Sequence, residues 1–270
     1  MASDDRPAER FRLNRFFLKD TVRQHIDFSA TPQSRRVQAP PLQKPCPEGA
    51  SRIDLPGGAS AVSRLCAMGV ADAIQQRESV RSYSADALTL EELSALLWAT
   101  QGVRQVLGPD CALRTVPSAG ARHALETYVA ASRVEGLSSG LYRYLPFDEQ
   151  LVEERIDEQI GRKAALACLG QQFVASAAAT FFWTVIPARM EWRYDLAAHK
   201  VIAIDAGHVC QNLYLACTAL GAGTCAIAAY DQEACDGLLC VDGDEEFTLY
   251  IASVGKLLWS TMGDGRGRAR

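Results

Sequence analysis

Apolar residues recur along this chain with two different periods, and the switch between them marks out its elements. In LEELSALLWATQ, Leu93, Leu96, Leu97 and Thr100 form one stripe at helical spacing. Thr89-Leu-Glu-Glu92 supplies a capping box in front of that helix and Gly102 ends it. MGVADAIQQR, IDEQIGRKAALACL and EACDGLL read as shorter helices. HKVIAIDAGHVCQNLYLACTAL reads as the longest helix, with its C-cap at Gly221. LETYVAAS and LYRYLP carry strand patterning, and TFFWTVIP, TCAIAAY and FTLYIASVG are strands, the first two of these buried. Helices alternating with strands over long crossovers predict an α+β fold layered about one sheet.

Two runs without charge, Ala164 to Ala188 and Ala206 to Tyr230, are each long enough to raise a membrane span. Gly170-Gln-Gln172 and Pro187 interrupt the first, and Gly221-Ala-Gly223 the second, so both are expected to be buried elements of a soluble protein. Residues 1–65 differ in kind. They hold arginines at 6, 10, 12, 15, 23, 35 and 36 and prolines at 32, 40, 41, 45, 47 and 56. Only Phe11 to Phe28 has helical patterning, and APPLQKPCPEGA is expected to be extended. The predicted organisation is an arm over 1–65 that wraps the core or a neighbouring subunit, a domain over 66–262 and a frayed tail over 263–270.

Composition narrows the function. The 270 residues carry 28 Lys and Arg against 32 Asp and Glu, a net charge of −4, which argues against nucleic acid as the main partner. The nine cysteines include no C-x-x-C pair, and the N-terminus has no apolar signal core. Reduced thiols packed as small apolar groups in a cytoplasmic protein are expected. Asp205 and His208 lie one helical turn apart but have no third ligand, so no metal is assigned. Gly221-Ala-Gly223-Thr-Cys-Ala226 matches a dinucleotide fingerprint by letter only, because a helix precedes it and a strand follows. There is no G-x-S-x-G elbow and no Walker A loop.

One short segment stands apart. In Gln76-Arg77-Glu78-Ser79-Val80-Arg81-Ser82-Tyr83, alternation places Arg77, Ser79 and Arg81 on one side of an extended stretch. Two fixed cations and a hydroxyl suit a phosphate or another polyanion. A surface face paired with Glu78, Glu91 or Glu92 accounts for the same residues equally well.

R-E-S-V-R-S-Y resembles the R-R-S-x-R-x-[FY] opening of the FMN-dependent nitroreductase family. The resemblance continues through LTLEELSALLWATQGV, RTVPSAGARHALETYV, GLYRYLP, AGHVCQNLYLACTALGAGTCAIAAYD and a final VGK, over about residues 66 to 257. The blocks are most similar to the SagB-type branch, which includes dehydrogenases that oxidise azolines in peptides. It implies a three-layer α/β/α sandwich with a mixed, mainly antiparallel sheet, a homodimer, and FMN at the dimer interface. By position, Arg77, Ser79 and Arg81 would meet the FMN phosphate, ribityl chain and pyrimidine edge. Lys256 would hold the phosphate, Ala228, Ala229 and Tyr230 would face the flavin, and Pro117, Ser118, Ala119 and Gly120 would contribute from the partner subunit.

The resemblance implies a ping-pong reaction. NAD(P)H reduces FMN at N5, and a nitroaromatic, quinone or similar small molecule then takes the electrons. The alternatives are a peptide azoline dehydrogenase and a low-turnover flavin-binding partner in a peptide-modification complex. Two departures bear on this choice. Arg122-His123-Ala124 stands where the branch has Leu-Tyr-Pro, so Arg122 and His123 are candidates for meeting an anionic substrate or the donor's phosphate, or else are merely solvated. Arg193-Tyr194 stands where azoline dehydrogenases carry Lys-Tyr. Arginine stays protonated and is a poor base, which leaves Tyr194 as a proton donor or a structural residue.

Overall fold

The computed structural model describes residues 6–258, so the frayed-tail expectation for 263–270 lies outside the described residues. In chain order the helices and strands are α1 (Arg6–Leu18), β1 (Arg52–Asp54), α2 (Gly58–Leu65), α3 (Val70–Gln76), α4 (Leu90–Gln101), β2 (Val103–Gly108), β3 (Cys111–Arg114), β4 (Leu125–Ala131), β5 (Gly140–Leu145), β6 (Gln150–Ile156), α5 (Ile160–Ala167), α6 (Gln172–Ala175), β7 (Ala179–Val185), α7 (Ala188–Tyr194), α8 (Ala198–Leu220), β8 (Ala222–Ile227), α9 (Gln232–Leu239) and β9 (Phe247–Lys256). Seven strands form one sheet in the order β1-β6-β5-β4-β7-β9-β8, with every neighbouring pair antiparallel. Outside these strands Ser79 adds an isolated parallel bridge to Thr224 at the β8 edge, and Leu88 another to Val134.

The sheet separates two apolar layers because side chains alternate along its strands. Val129, Phe181 and Trp183 face a core shared with Leu93, Leu96 and Leu97 of α4 and Val209 and Leu213 of α8. Tyr128 and Phe182 point the other way, toward Ile160 and Ala164 of α5 and Leu238 and Leu239 of α9. The result is the expected layered α+β architecture. β4, β5 and β7 are buried along their whole length, and each large apolar side chain taken from water there contributes about 1.5–3 kcal/mol.

Local signals in the sequence set the helix ends. Thr89 Oγ1 accepts from Glu92 N at 3.1 Å and Thr89 N donates to Glu92 Oε2 at 2.9 Å, closing the capping box of α4. α8 stops at Gly221, whose φ of 70° is easily reached without a Cβ. Among the described residues no helix is long and apolar enough to cross a membrane. Other boundaries differ from the sequence reading. IDEQ does not begin a helix: Ile156 closes β6 opposite Gly140, and the Asp157 carboxylate turns the chain by accepting from Gln159 N at 3.0 Å. The Phe11–Phe28 helix is instead α1 followed by a 3-10 turn over Asp20–His25. The β2–β3 hairpin, β1, β6 and α7 carried no clear periodicity.

Residues 40–45 cross the domain with a bend at Leu42 and Gln43, held by buried guanidinium groups. Arg122 donates to Pro40 O at 3.0 Å, Arg114 to Leu42 O at 2.7 Å, and Arg143 to Lys44 O and Pro45 O, each at 3.0 Å. Lys44 N donates to Glu126 at 2.8 Å, and its ammonium reaches Tyr128 OH at 3.0 Å and Glu246 at 2.5 Å.

The sheet's far edge carries the arginine segment. Val80 N donates to Thr224 O at 2.9 Å and Ser84 N to Lys256 O at 2.9 Å. Between these anchors the segment presses onto Gly223 and Gly255, which are cross-strand partners. A Cβ on Gly223 would stand 2.7 Å from Val80 Cβ, and one on Gly255 would stand 2.7 Å from Tyr83 Cγ. We therefore expect Gly223→Ala to destabilise the protein by about 1–3 kcal/mol, and Val80→Gly, which removes the obstructing Cβ, to cost less on that background than in the wild type. Urea unfolding followed by circular dichroism measures both, and additive losses in the double variant would show that Val80 is not the obstruction.

Candidate functional site

Two groups of the sequence-predicted residues are assembled on opposite edges of α8. The first contains Arg77, Ser79 and Arg81. Ser79 and Arg81 are exposed and Arg77 is half-buried. The Arg77 guanidinium lies over the Tyr214 ring at 5.3 Å, and Ser79 Oγ is 2.9 Å from Tyr214 OH. Tyr214 OH in turn accepts from Ala226 N of β8 at 2.9 Å. The Arg81 guanidinium sits 6.0 Å from the Phe173 ring centre. Burial raises the Cys225 thiol pKa, and the nearby Arg81 charge opposes that rise. Neither Arg77 nor Arg81 has a carboxylate partner among the described residues. Glu91 and Glu92 are engaged elsewhere: Glu91 pairs with Arg64, and Glu92 pairs with Lys256 while capping α4.

Ala228 and Ala229 are exposed just beyond Ile227, the last residue of β8 paired with β9. Their backbone is braced from behind. Gln171 Nε2 donates to Ala229 O and to Cys168 O, both at 2.9 Å, and Tyr230 OH donates to Thr248 O and Leu249 O, each at 3.0 Å. A cleft of about 340 Å³ lies along the arginine segment on the side of Gln76, Glu78 and Val80, alternate to Arg77, Ser79 and Arg81, with Thr218, Thr224 and Leu257 across from it.

The second group contains Pro117, Ser118, Ala119 and Gly120 together with Arg193 and Tyr194. Gly120 has φ of +60°, and a Cβ there would meet Tyr194 OH at 2.7 Å and Arg193 Nε at 2.8 Å. Glycine thus permits the loop to close on α7. Ala121 and His123, with φ of 53° and 46°, are also left-handed without being glycine, a strain of about 1–2 kcal/mol each. Hydrogen bonds hold the loop in that shape. Ser118 Oγ accepts from His123 N at 3.0 Å, and the Asp205 carboxylate accepts from Ala119 N at 3.3 Å. Burial raises the Asp205 pKa, and its bonds from Ser118 and Ala119 oppose the rise. Asp205 therefore positions a loop, and among the described residues no group of three or more His, Cys, Asp or Glu could hold a metal ion.

Arg122 and His123 are not solvated, although His123 lines a cavity of about 350 Å³ with Pro117 and Ser118. Both are buried, at 2% and 5% exposure. Arg122 spends its donors on Arg189 O, Asp110 O and Pro40 O, and its guanidinium stacks on Trp192 at 4.7 Å. His123 Nε2 bonds Ala112 O at 3.1 Å. The positive φ at Ala121 and His123 turns this stretch inward, where backbone carbonyls take the place that a substrate anion was expected to fill.

Tyr214, Asp205, Gln171 and Phe173 organise the site, yet no motif singled them out for these roles. The only trace of the first two is their spacing. At about 100° per residue, Asp205 and Tyr214 fall on opposite edges of the buried face of α8, and about 14 Å apart along it.

Burial pushes the His123 pKa down to about 3 from 6.5, and Arg114 adds to that shift. The unfolded chain therefore binds a proton that the folded chain refuses between those pH values. Stability should fall as pH drops from about 6.5 toward 3, by up to about 1.4 kcal/mol per pH unit from this group. Replacing His123 with Gln removes that dependence. In chemical denaturation between pH 7 and 4.5 the wild type should lose more stability than the variant, whereas parallel curves would mean that the imidazole ionises freely in the fold.

Comparisons with known proteins bear on the same elements. The model of the nitroreductase family matches residues 74–256. MJ1384 of Methanocaldococcus jannaschii, a protein assigned to the nitroreductases, is 36% identical over 185 residues, covering 68% of this chain and 89% of its own. A nitroreductase-type structure from Anabaena variabilis superposes with a TM-score of 0.62 at 25% identity over 78% of this chain, which spans only 42% of that one. Another from Ralstonia eutropha gives 0.61 at 24% identity over 82% of this chain and 99% of its own. A chain of the Escherichia coli microcin synthetase McbBCD complex with truncated pro-MccB17 bound gives 0.56 at 16% identity over 86% of this chain and 89% of its own. The last two likenesses bear on the fold alone.

Proposed function

The chain belongs to the nitroreductase family, and from that premise we propose that it is an FMN-dependent oxidoreductase, with NAD(P)H as electron donor and a nitroaromatic, quinone or similar small molecule as acceptor. The observation that carries this reading is the pair of cations, Arg77 and Arg81, without an ion-pair partner among the described residues and flanking the exposed Ser79 on the sheet edge. That donor set fits a phosphate monoester with a polar chain attached. FMN, when bound, supplies a two-electron relay that takes hydride from the donor and passes it to the acceptor.

The chain's own residues then have defined tasks. Arg77 and Ser79 hold the phosphate where it joins the ribityl chain, and Lys256, shared with Glu92, adds charge to the phosphate. Arg81 places a cation at the pyrimidine edge, where negative charge is favoured on reduction. Ala228 and Ala229 keep the ring face open and present backbone N–H groups, and Tyr230 fixes their strand end. Arg193 packs against Gly120, and Tyr194 is available to hand a proton to the acceptor.

Within one chain the Pro117–Gly120 loop and the arginine segment flank α8 at separate positions, which supports a site completed by a second copy in a homodimer. Exposed Val70 and Ile74 on α3 and Val106 and Leu107 on the hairpin provide apolar surface for such an interface. The nine unpaired thiols suit a reducing cytoplasm.

A second reading, oxidation of azolines in a peptide, draws on the groove of about 500 Å³ between residues 32–40 and α7, roomy for a small acceptor. The likeness to a chain of a microcin synthetase complex extends it to a partner in peptide modification. Purified protein should carry flavin absorbance and oxidise NAD(P)H faster when a nitroaromatic or quinone is added. Turnover only with a thiazoline peptide and oxygen would favour the second reading, and absence of flavin would overturn both. Arg77→Ala should weaken FMN binding about tenfold to a hundredfold, the worth of a charge-assisted hydrogen bond, as read by fluorescence titration of the apoprotein.

A further inference from the structure

We propose that Tyr214 is the positioning residue of the anion site, setting both the Ser79 hydroxyl and the Arg77 guanidinium toward the ligand's phosphate; this rests on the reading of Arg77 and Ser79 as phosphate holders. Tyr214 is 9% exposed, on the long central helix, while the two residues it touches belong to a segment with little secondary structure of its own. Its hydroxyl oxygen accepts from Ala226 N at 2.9 Å and lies 2.9 Å from Ser79 Oγ. With an N–H already directed at the phenol oxygen, the phenol proton is free to be donated to Ser79 Oγ. The Ser79 proton is then left pointing outward, available to an anionic acceptor. Each bond in such a chain polarises the next, so the outermost hydroxyl donates more strongly than an isolated serine.

The ring does separate work. The Arg77 guanidinium lies over its face at 5.3 Å, where attraction to the ring quadrupole holds the planar group in place. The guanidinium N–H groups radiate in its own plane and remain free for a phosphate. One side chain thus orders the two donors that would meet the anion. Ala226 ties it to β8, so the donors are referenced to the sheet as well as to α8.

The test is flavin binding by the apoprotein, titrating FMN and riboflavin in parallel against wild type, Tyr214→Phe, Tyr214→Leu and Ser79→Ala, with thermal unfolding to confirm the fold. Tyr214→Phe keeps the ring and its volume but breaks the hydroxyl chain. It should weaken FMN about fivefold to tenfold and leave riboflavin, which lacks the phosphate, within about twofold. Tyr214→Leu also loses the cation–π contact and should weaken FMN further. Joining Tyr214→Phe to Ser79→Ala should add little to Ser79→Ala alone, because both break one chain. Equal losses for FMN and riboflavin would reduce Tyr214 to a packing residue and overturn the proposal, as would unchanged FMN affinity in both Tyr214 variants. A wild type that binds riboflavin as tightly as FMN would instead overturn the phosphate reading beneath it.

Discussion

The arginine segment depends on the seat of Val80 and Tyr83 on two glycines that face each other across β8 and β9. The arginine segment makes one bridge to the sheet, at Ser79 and Thr224, so ladder hydrogen bonds alone would leave it loosely held. Its position comes from two side chains that point inward and occupy space any Cβ would fill. Tyr83 adds a hydroxyl bonded to Val80 O at 2.8 Å and to Ser253 Oγ at 2.7 Å, which ties the middle of the segment to its own end and to β9. Arg77, Ser79 and Arg81 then project by alternation from a fixed backbone. Reading the glycines as a dinucleotide fingerprint would have missed this: Gly221 ends a helix, and Gly223 makes room for a neighbouring chain segment.

The second reference is α8. Its buried face covers about half the helix circumference, and polar-tipped side chains stand at both edges of that face, Asp205 toward the Pro117–Gly120 loop and Tyr214 toward the arginine segment. Edge positions of a buried stripe are where a side chain can keep its body in the core and its polar tip on a loop. Two irregular segments distant in sequence are thereby tied to one rigid element.

What the sequence disclosed follows from which interactions are local. Capping at Thr89, the stop at Gly221 and the apolar runs of β7 and β8 depend on neighbours a few residues away or on burial of a whole strand. These are visible as pattern. The candidate cations were visible for the same reason, as alternating residues on one short stretch. Tyr214 was not, because a tyrosine in a buried helix looks like core, and only the fold brings Ser79 to it from 135 residues away. The burial of Arg122 was hidden by the opposite effect. A charged residue next to a loop motif reads as surface, and nothing local announces that the carbonyl of Pro40 will come to meet it.

That meeting explains why this interior tolerates so many cations. A proline-rich strand has carbonyls but few N–H groups, so when it is laid against the domain its buried acceptors need donors from elsewhere. Guanidinium supplies donors and no acceptors. Arg114, Arg122 and Arg143 therefore match Pro40, Leu42, Lys44 and Pro45 in kind as well as in position. Burial lowers the Arg114 pKa to about 10, still far above neutrality, so the charge persists and must be solvated by the protein. The Glu126 carboxylate, paired with Arg189, also offsets part of it, and Glu246 takes up the ammonium of Lys44. Without residues 40–45 several of these guanidinium donors would face the interior unpaired, a loss larger than that of the apolar contacts alone. The polar residues beneath the segment and the prolines within it are two halves of one arrangement, and residues 40–45 are in that sense internal to the domain they cross.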